Sequence, residues 1–220
     1  MCTVSRFSWC IWSEIFGPLG KLILTVYASD VILVLLMYIP MVALLAKFPV
    51  KKWLQGIWKV WVVTASTTSS SGSLPITTSV TNDEFGVSSE LSSFSLPLGA
   101  TINMNGGCIY YAAAIVMTAQ IYGMNLTPSA LVNIIISTVL VAMGCPGVPG
   151  GAIIMTTILL TNMGLPLEIV GLIAGIFRLI DMANTTFNVT GDVVTTMVVA
   201  RSEGMMHTLG TGAETETKAA

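Results

Sequence analysis

Residues 181–192, DMANTTFNVTGD, place a block of polar groups inside a run, Leu167 to Ala200, that is otherwise apolar. Asp181, Asn184, Thr185, Asn188 and Asp192 succeed one another at steps of 3, 1, 3 and 4. Residues three and four apart lie above one another on a helix, so the five form one stripe over about three turns. The run is long enough to cross a hydrocarbon core of roughly 30 Å. Burying a carboxylate there is expensive, which makes an intramembrane aspartate a functional-site candidate by default. A structural polar stripe packed against neighbouring helices is the plainer reading that these residues leave open.

Upstream, Ala130–Met143 and Ala152–Met163 are apolar arms around GCPGVPGG (144–151). Each reaches roughly 20 Å at helical rise, too short to span. They read as a re-entrant hairpin that turns at its Gly/Pro tip. Phe94–Tyr122 is long enough to span, but adjacent glycines and two amides in Asn103-Met104-Asn105-Gly106-Gly107 weaken its middle. Before it, Trp53–Ala65 is too short to cross and runs into STTSSSGSLP (66–75) and a further polar stretch. Such a break at membrane depth is tolerated only where protein or a water-filled cavity surrounds it. This segment reads as another re-entrant hairpin with its tip at Ser69–Pro75, a Ser-rich surface loop being the alternative. Leu22–Ala46 is the first span; its Asp30 is expected to face protein or the outer interface. Lys47, Lys51, Lys52 and Lys59 follow it and Arg201 closes the last run, which puts those ends and the C-terminus in the cytoplasm.

Composition agrees. Of 220 residues, 54% are hydrophobic and 9% charged, with mean hydropathy +0.83. A soluble domain carries about 25% charged residues. The net charge of −2 excludes a basic face for nucleic acid. Cys2, Cys10, Cys108 and Cys145 show no metal-ligand spacing, and the single histidine, His207, lies in the polar tail. No catalytic residue and no organic cofactor are expected. Residues 1–18 lack the uninterrupted apolar run and cleavage site of a signal peptide and read as an atypical leader or the product of a truncated reading frame. Residues 19–205 form one membrane core, and 206–220 a polar cytoplasmic tail.

The halves 53–122 and 130–200 rhyme: short arm, Gly/Pro tip, short arm, polar-broken helix. The expected fold is an all-α membrane protein, with transmembrane helices and two re-entrant helical hairpins in an inverted repeat. Interrupted hydrophobic segments at matching positions are a pointer to a transporter's binding site near the bilayer midplane.

SSSGSLP (69–75), LPLGATINMNGG (96–107), GVPGGA (147–152) and DMANTTFNVTGD (181–192) together resemble the dicarboxylate/amino acid:cation symporter family, in order and spacing, across residues 20–205. The resemblance implies a C-terminal transport-core fragment of a sodium- or proton-coupled symporter, without the family's first five helices and their trimerising scaffold. It implies substrate contacts from Asp181 (α-amino group), Asn188 (carboxylate), Thr185, Asn184 and the tip residues Ser70 and Val148. One sodium site would use Gly99, Asn103, Asn188 and Asp192. A second would use Thr101, Met104 and carbonyls of Ala142, Met143, Gly144 and Cys145. A further cation site would include Asn105. The implied partners are a small amino or organic acid, the lipid bilayer and two further copies in a homotrimer.

Three positions depart from the family pattern. Asn184 stands where carriers of acidic amino acids have an arginine, and an amide cannot replace its bidentate bonds to a carboxylate. A neutral amino acid is the expected substrate. Arg178, one turn before Asp181, is a candidate substitute for that arginine, with an ion pair to the Asp181 carboxylate as the favoured reading. Asn105 stands where the family has an aspartate, which predicts altered cation coupling. Thr68 replaces an arginine of some prokaryotic members, with no consequence assigned. A pore, an intramembrane hydrolase and a non-functional remnant are the competing classes. Substrate-saturable flux separates carrier from pore, and no histidine or lysine sits at a depth to activate a serine.

Overall fold

The computed structural model describes residues 4–207, with side chains from Gly17 onward. Most of the expected tail, and the first three residues and most side chains of the expected leader (Cys2 and Cys10 among them), lie outside that range.

Eight α-helices account for most of the described residues. The first, α1 (Val4–Leu33), starts well before the expected Leu22 and continues into two π-helical turns, Val34–Tyr38 and Met41–Leu45. Pro40 lies between those turns and supplies no N–H. Here the ladder closes on the fifth residue, Ile39 N donating to Val34 O and Ala46 N to Met41 O. Val26, Asp30, Val34, Tyr38, Val42 and Ala46 are all buried at four-residue steps. At 3.6 residues per turn a plain α-helix would rotate such a stripe away from the core, and the wider π turns rotate it back. Asp30 therefore faces protein.

Next come α2 (Val50–Thr67) and α3 (Leu74–Asp83), packed against each other across a tight turn. The turn opens on Thr68 in the left-handed region (φ 49°), and Pro75 starts α3 where its missing N–H costs nothing. Helix α4 (Ser89–Ile102) is capped by Ser88, whose hydroxyl accepts from Leu91 N. It stops at Asn103 and Met104, which leave helical geometry (φ −88°, ψ 104° and φ −125°, ψ 54°), and α5 (Asn105–Ile121) resumes at once. A second pair, α6 (Pro128–Met143) and α7 (Gly151–Asn162), packs across the residues 144–150. Thr127 caps α6 by accepting from Ala130 N, with Pro128 in its first turn. The last helix, α8 (Glu168–Ser202), runs 35 residues without a break. This corrects the expectation of two polar-broken helices: only α4–α5 is interrupted.

Gly17–Leu45 and Glu168–Ser202 are long and apolar enough to cross a membrane, whereas α6 and α7, of 16 and 12 residues, are not. Leu24, Leu36, Leu44, Phe94, Ile135 and Leu140 all point outward. Such a surface suits hydrocarbon and would be an aggregation liability in water.

Two apolar clusters form the core. One joins α5, α6 and α7 to the N-terminal half of α8 and to Leu19, Leu22 and Val26 of α1. The other joins α2, α3 and α4 to the C-terminal half of α8 and to Val34, Tyr38 and Val42. Helix α8 threads both, and its polar stripe falls at their seam. At the α8 C-terminus Ser88 N donates to Met205 O and His207 N to Gly86 O, while Lys59 pairs with Glu84 at 2.6 Å. The α2–α3 pair therefore approaches the seam from the C-terminal end of α8 and α6–α7 from its N-terminal end. Their turns meet: Ser69 Oγ donates to Gly147 O (3.1 Å), as does Ser71 N (3.4 Å).

Candidate binding site

The stripe read from the sequence is a buried one. Asp181, Asn184, Thr185, Asn188 and Asp192 are each at most 8% exposed, in a continuous helix that holds their spacing rigid. Around them the broken helix and the two turns converge. A pocket between these parts is lined by Ser70, Met104, Tyr111, Val148, Asp181 and Asn184, along with Thr185 and Asn188. All six residues expected to contact substrate are thus in one place.

Backbone N–H groups point at the stripe from two helix beginnings. Gly106 N, in the first turn of α5, donates to Asn188 Oδ1 at 2.8 Å. Gly150 N, before α7, donates to Asp181 Oδ2 at 3.3 Å. The positive ends of these helix dipoles favour negative charge beside them. Asn188 has a partner at each polar atom, because its Nδ2 also donates to Met104 Sδ at 3.2 Å. Asn184 does not: it is 3% exposed, yet neither its Nδ2 nor its Oδ1 has a partner among the described residues. Buried amide groups are nearly always paired, so this one is built to meet something else. Among the pocket-lining residues Asp181 is the only charged one.

Arg178 corrects an expectation. Its guanidinium does not pair with Asp181 but donates to Thr68 Oγ1 and, at 2.9 Å, to Ser66 O. These are the last groups of α2, where unpaired carbonyls and the negative end of the helix dipole attract a cation. Arg178 so pins the α2 terminus to α8, and Thr68 acquires a role that sequence reasoning left unassigned.

Deeper along α8, Asn103 Nδ2 donates to Asp192 Oδ1 (2.8 Å) and to Asn188 O (3.2 Å). A Cβ at Gly99 would sit 2.5 Å from Asp192 Oδ1. Only glycine lets α4 come this close to the carboxylate. Gly99, Asn103, Asn188 and Asp192 are therefore assembled as one group of oxygen and amide ligands around one buried charge, a donor set that suits a hard monovalent cation. The second expected set is less complete. Met104 is buried and accepts from Asn188, and Ala142 and Cys145 are buried near the turn. Met143 and Gly144 are exposed, and the Ala142 carbonyl accepts from Cys145 N. Thr101 is exposed too, its hydroxyl donating back to Pro97 O. Asn105 donates to the Tyr38 hydroxyl at 2.9 Å, and that hydroxyl donates to Phe187 O at 3.0 Å.

Tyr38 was not singled out from the sequence, although its four-residue register with Asp30 was available as a signal. Tyr111, also pocket-lining, had none beyond an apolar context.

The profile of the sodium:dicarboxylate symporter family matches residues 2–202. An excitatory amino acid transporter of Caenorhabditis elegans is 36% identical over 141 residues, which cover 64% of this chain and 28% of that protein. Excitatory amino acid transporter 2 of Homo sapiens is 34% identical over 137 residues, 62% of this chain and 24% of the relative. A proton/sodium-glutamate symport protein of Geobacillus stearothermophilus is 31% identical over 203 residues, 92% of this chain and 47% of the relative. The chain thus spans less than half the length of these curated relatives. With a profile match over nearly all of its length and the family's motifs gathered on one buried seam, the chain belongs to the sodium:dicarboxylate symporter family.

Proposed function

We propose that this chain forms the substrate- and cation-binding core of a symporter for a small neutral amino acid, driven by sodium. Asn184 carries the reading: a buried amide with both polar atoms unpartnered, in a pocket whose one charged lining residue is Asp181. The Asp181 carboxylate suits the ammonium of an amino acid. The helix beginnings at Gly106 and Gly150 suit its carboxylate. A second carboxylate on the ligand would find no cation, since Arg178 is spent on Thr68 and Ser66. Asn184 suits a hydroxyl or a short apolar side chain instead. The relatives named for glutamate or for excitatory amino acids support the symport class, and Asn184 separates this chain from them in substrate.

In this reading α2–α3 and α6–α7 are re-entrant hairpins of an inverted repeat, entering from opposite faces, with Arg201 and the C-terminus in the cytoplasm. The space between the tips is about 20 Å³, enough for a water molecule and too small for an amino acid. Binding therefore requires a tip to move. The Ser69 and Ser71 bonds to Gly147 O are the contacts to be broken, and opening one hairpin at a time gives alternating access. Sodium at Gly99, Asn103, Asn188 and Asp192 would neutralise the Asp192 charge and couple to substrate through Asn188, which belongs to both groups. A homotrimer in the bilayer is part of the same proposal.

The test is equilibrium binding of labelled alanine, serine, threonine, aspartate and glutamate to the full chain in nanodiscs, in sodium and in choline medium. Sodium-dependent binding of the neutral amino acids is expected. Binding confined to aspartate or glutamate would refute the assignment.

A further inference from the structure

Asp30 is a buried carboxylate that the site described above does not use. It lies on α1 at 0% exposure, and neither Oδ1 nor Oδ2 meets a hydrogen-bond donor among the described residues. The one ion pair among those residues is Lys59–Glu84, so no basic side chain compensates it. Its position is part of the core register: Val26 precedes it by four residues, and Val34 and Tyr38 follow at the same step.

The surroundings are defined by two pins. Tyr27 donates to Leu179 O (2.8 Å) and Tyr38 to Phe187 O (3.0 Å), so α1 runs along α8 on either side of Asp30. Apart from its own π-helical continuation, α1 packs on α5 and α8. Asp30 is thus enclosed where three helices meet, one turn before α1 gives way to its first π turn. Single π turns inside helices frequently mark functional sites.

A bare carboxylate at membrane depth needs compensation. Protonation removes the charge but leaves a carbonyl acceptor that meets no donor among the described residues. An alkali cation lying between the two oxygens satisfies both at once, with oxygen as the ligand type it prefers.

We propose that Asp30 is the anionic ligand of a further alkali-cation site, enclosed by α1, α5 and α8 and separate from the Asp192 group. The proposal rests on the symport reading above and adds a coupling ion to it.

The full chain in detergent tests it, with radioactive sodium as probe and thermal unfolding midpoints measured in sodium, potassium and choline chloride. Asp30→Asn and Asp30→Leu are expected to lower the sodium stoichiometry by one per chain and to flatten the rise of the midpoint with sodium. Wild-type stoichiometry and slope in both variants would overturn the site. If Asp30→Asn does not fold, Asp30→Glu serves: a several-fold change in sodium affinity at unchanged stoichiometry is expected, and unchanged affinity overturns the site. The outcomes also separate the two proposals. Sodium binding lost with Asp192→Asn but kept with Asp30→Asn removes this site alone, whereas a wild type that binds no sodium removes both.

Discussion

Two stretches of this chain share the form Asn-x-x-Gly and do opposite things with it. Asn103-Met104-Asn105-Gly106 interrupts a helix, whereas Asn188-Val189-Thr190-Gly191 lies inside one that does not break. The difference is in the neighbours. Gly106 and Gly107 lie in the first turn of α5, just after the break at Asn103 and Met104; each costs about 1 kcal/mol of helix propensity, and a Cβ at Gly106 would fall 2.8 Å from Asn184 Cα. Gly191 is alone, and the turn before it is tied down: Thr190 Oγ1 donates to Thr186 O at 2.6 Å and accepts from Trp61 Nε1 at 2.8 Å. Gly191 is there for room. A Cβ would fall 2.7 Å from both Asn103 Nδ2 and Tyr38 Oη. The break frees backbone groups to face the site, and the unbroken helix supplies the rigid row of side chains they face.

This contrast is open to attack in order of expected effect. Asp192→Asn removes the charge around which the two stretches meet. Hydrogen bonds to a charged group contribute about 1.5–3 kcal/mol, so sodium affinity measured by isotope binding should fall by about 10–100-fold. Asn184→Arg places a cation on the rigid row without touching the break. Binding of labelled aspartate should rise by about 10-fold or more while alanine binding falls, since the new guanidinium can hold a second carboxylate in bidentate fashion. Retention of the wild-type preference would show that specificity is set elsewhere.

Gly191→Ala tests the room between the stretches. Overpacking costs about 1–3 kcal/mol, to be read as a lower unfolding midpoint in detergent. On the same helix, Gly175 has nothing within 4 Å of a built Cβ. Gly175→Ala should raise that midpoint, by up to about 1 kcal/mol, and equal effects at the two glycines would dissolve the distinction. The smallest effect is expected from Trp61→Phe. It leaves Thr190 with its bond to Thr186 but without the indole donor, a loss of about 0.5–1.5 kcal/mol with substrate preference unchanged.

Much of this was legible in advance. The 3, 1, 3, 4 spacing put five polar residues on one face, and the face is where it was expected. The Gly/Pro tips and the Asn103–Gly107 interruption appear within a residue or two of their expected bounds, because proline, glycine and capping hydroxyls act locally. The readings that failed concern partners. Arg178 was assigned to the nearest acid in sequence, but a helix end from residues 66–68 lies closer in space. Gly191 resembled a breaker because its motif resembled the other one, and only the approach of Asn103 and Tyr38 shows that it is a spacer.

Periodicity, composition and turn chemistry are short-range, so the sequence by itself determined most of the helices, the interruption at Asn103–Gly107, the apolar exterior and the row of acids and amides. Which tip meets which, that Asn184 is left unpartnered, and that Asp30 is enclosed without a donor depend on contacts between residues far apart in the chain, 78 positions for Ser69 and Gly147. Those follow from how α8 threads two apolar clusters. The tertiary structure alone decided them, because close packing brings distant side chains together in a way that no local pattern encodes.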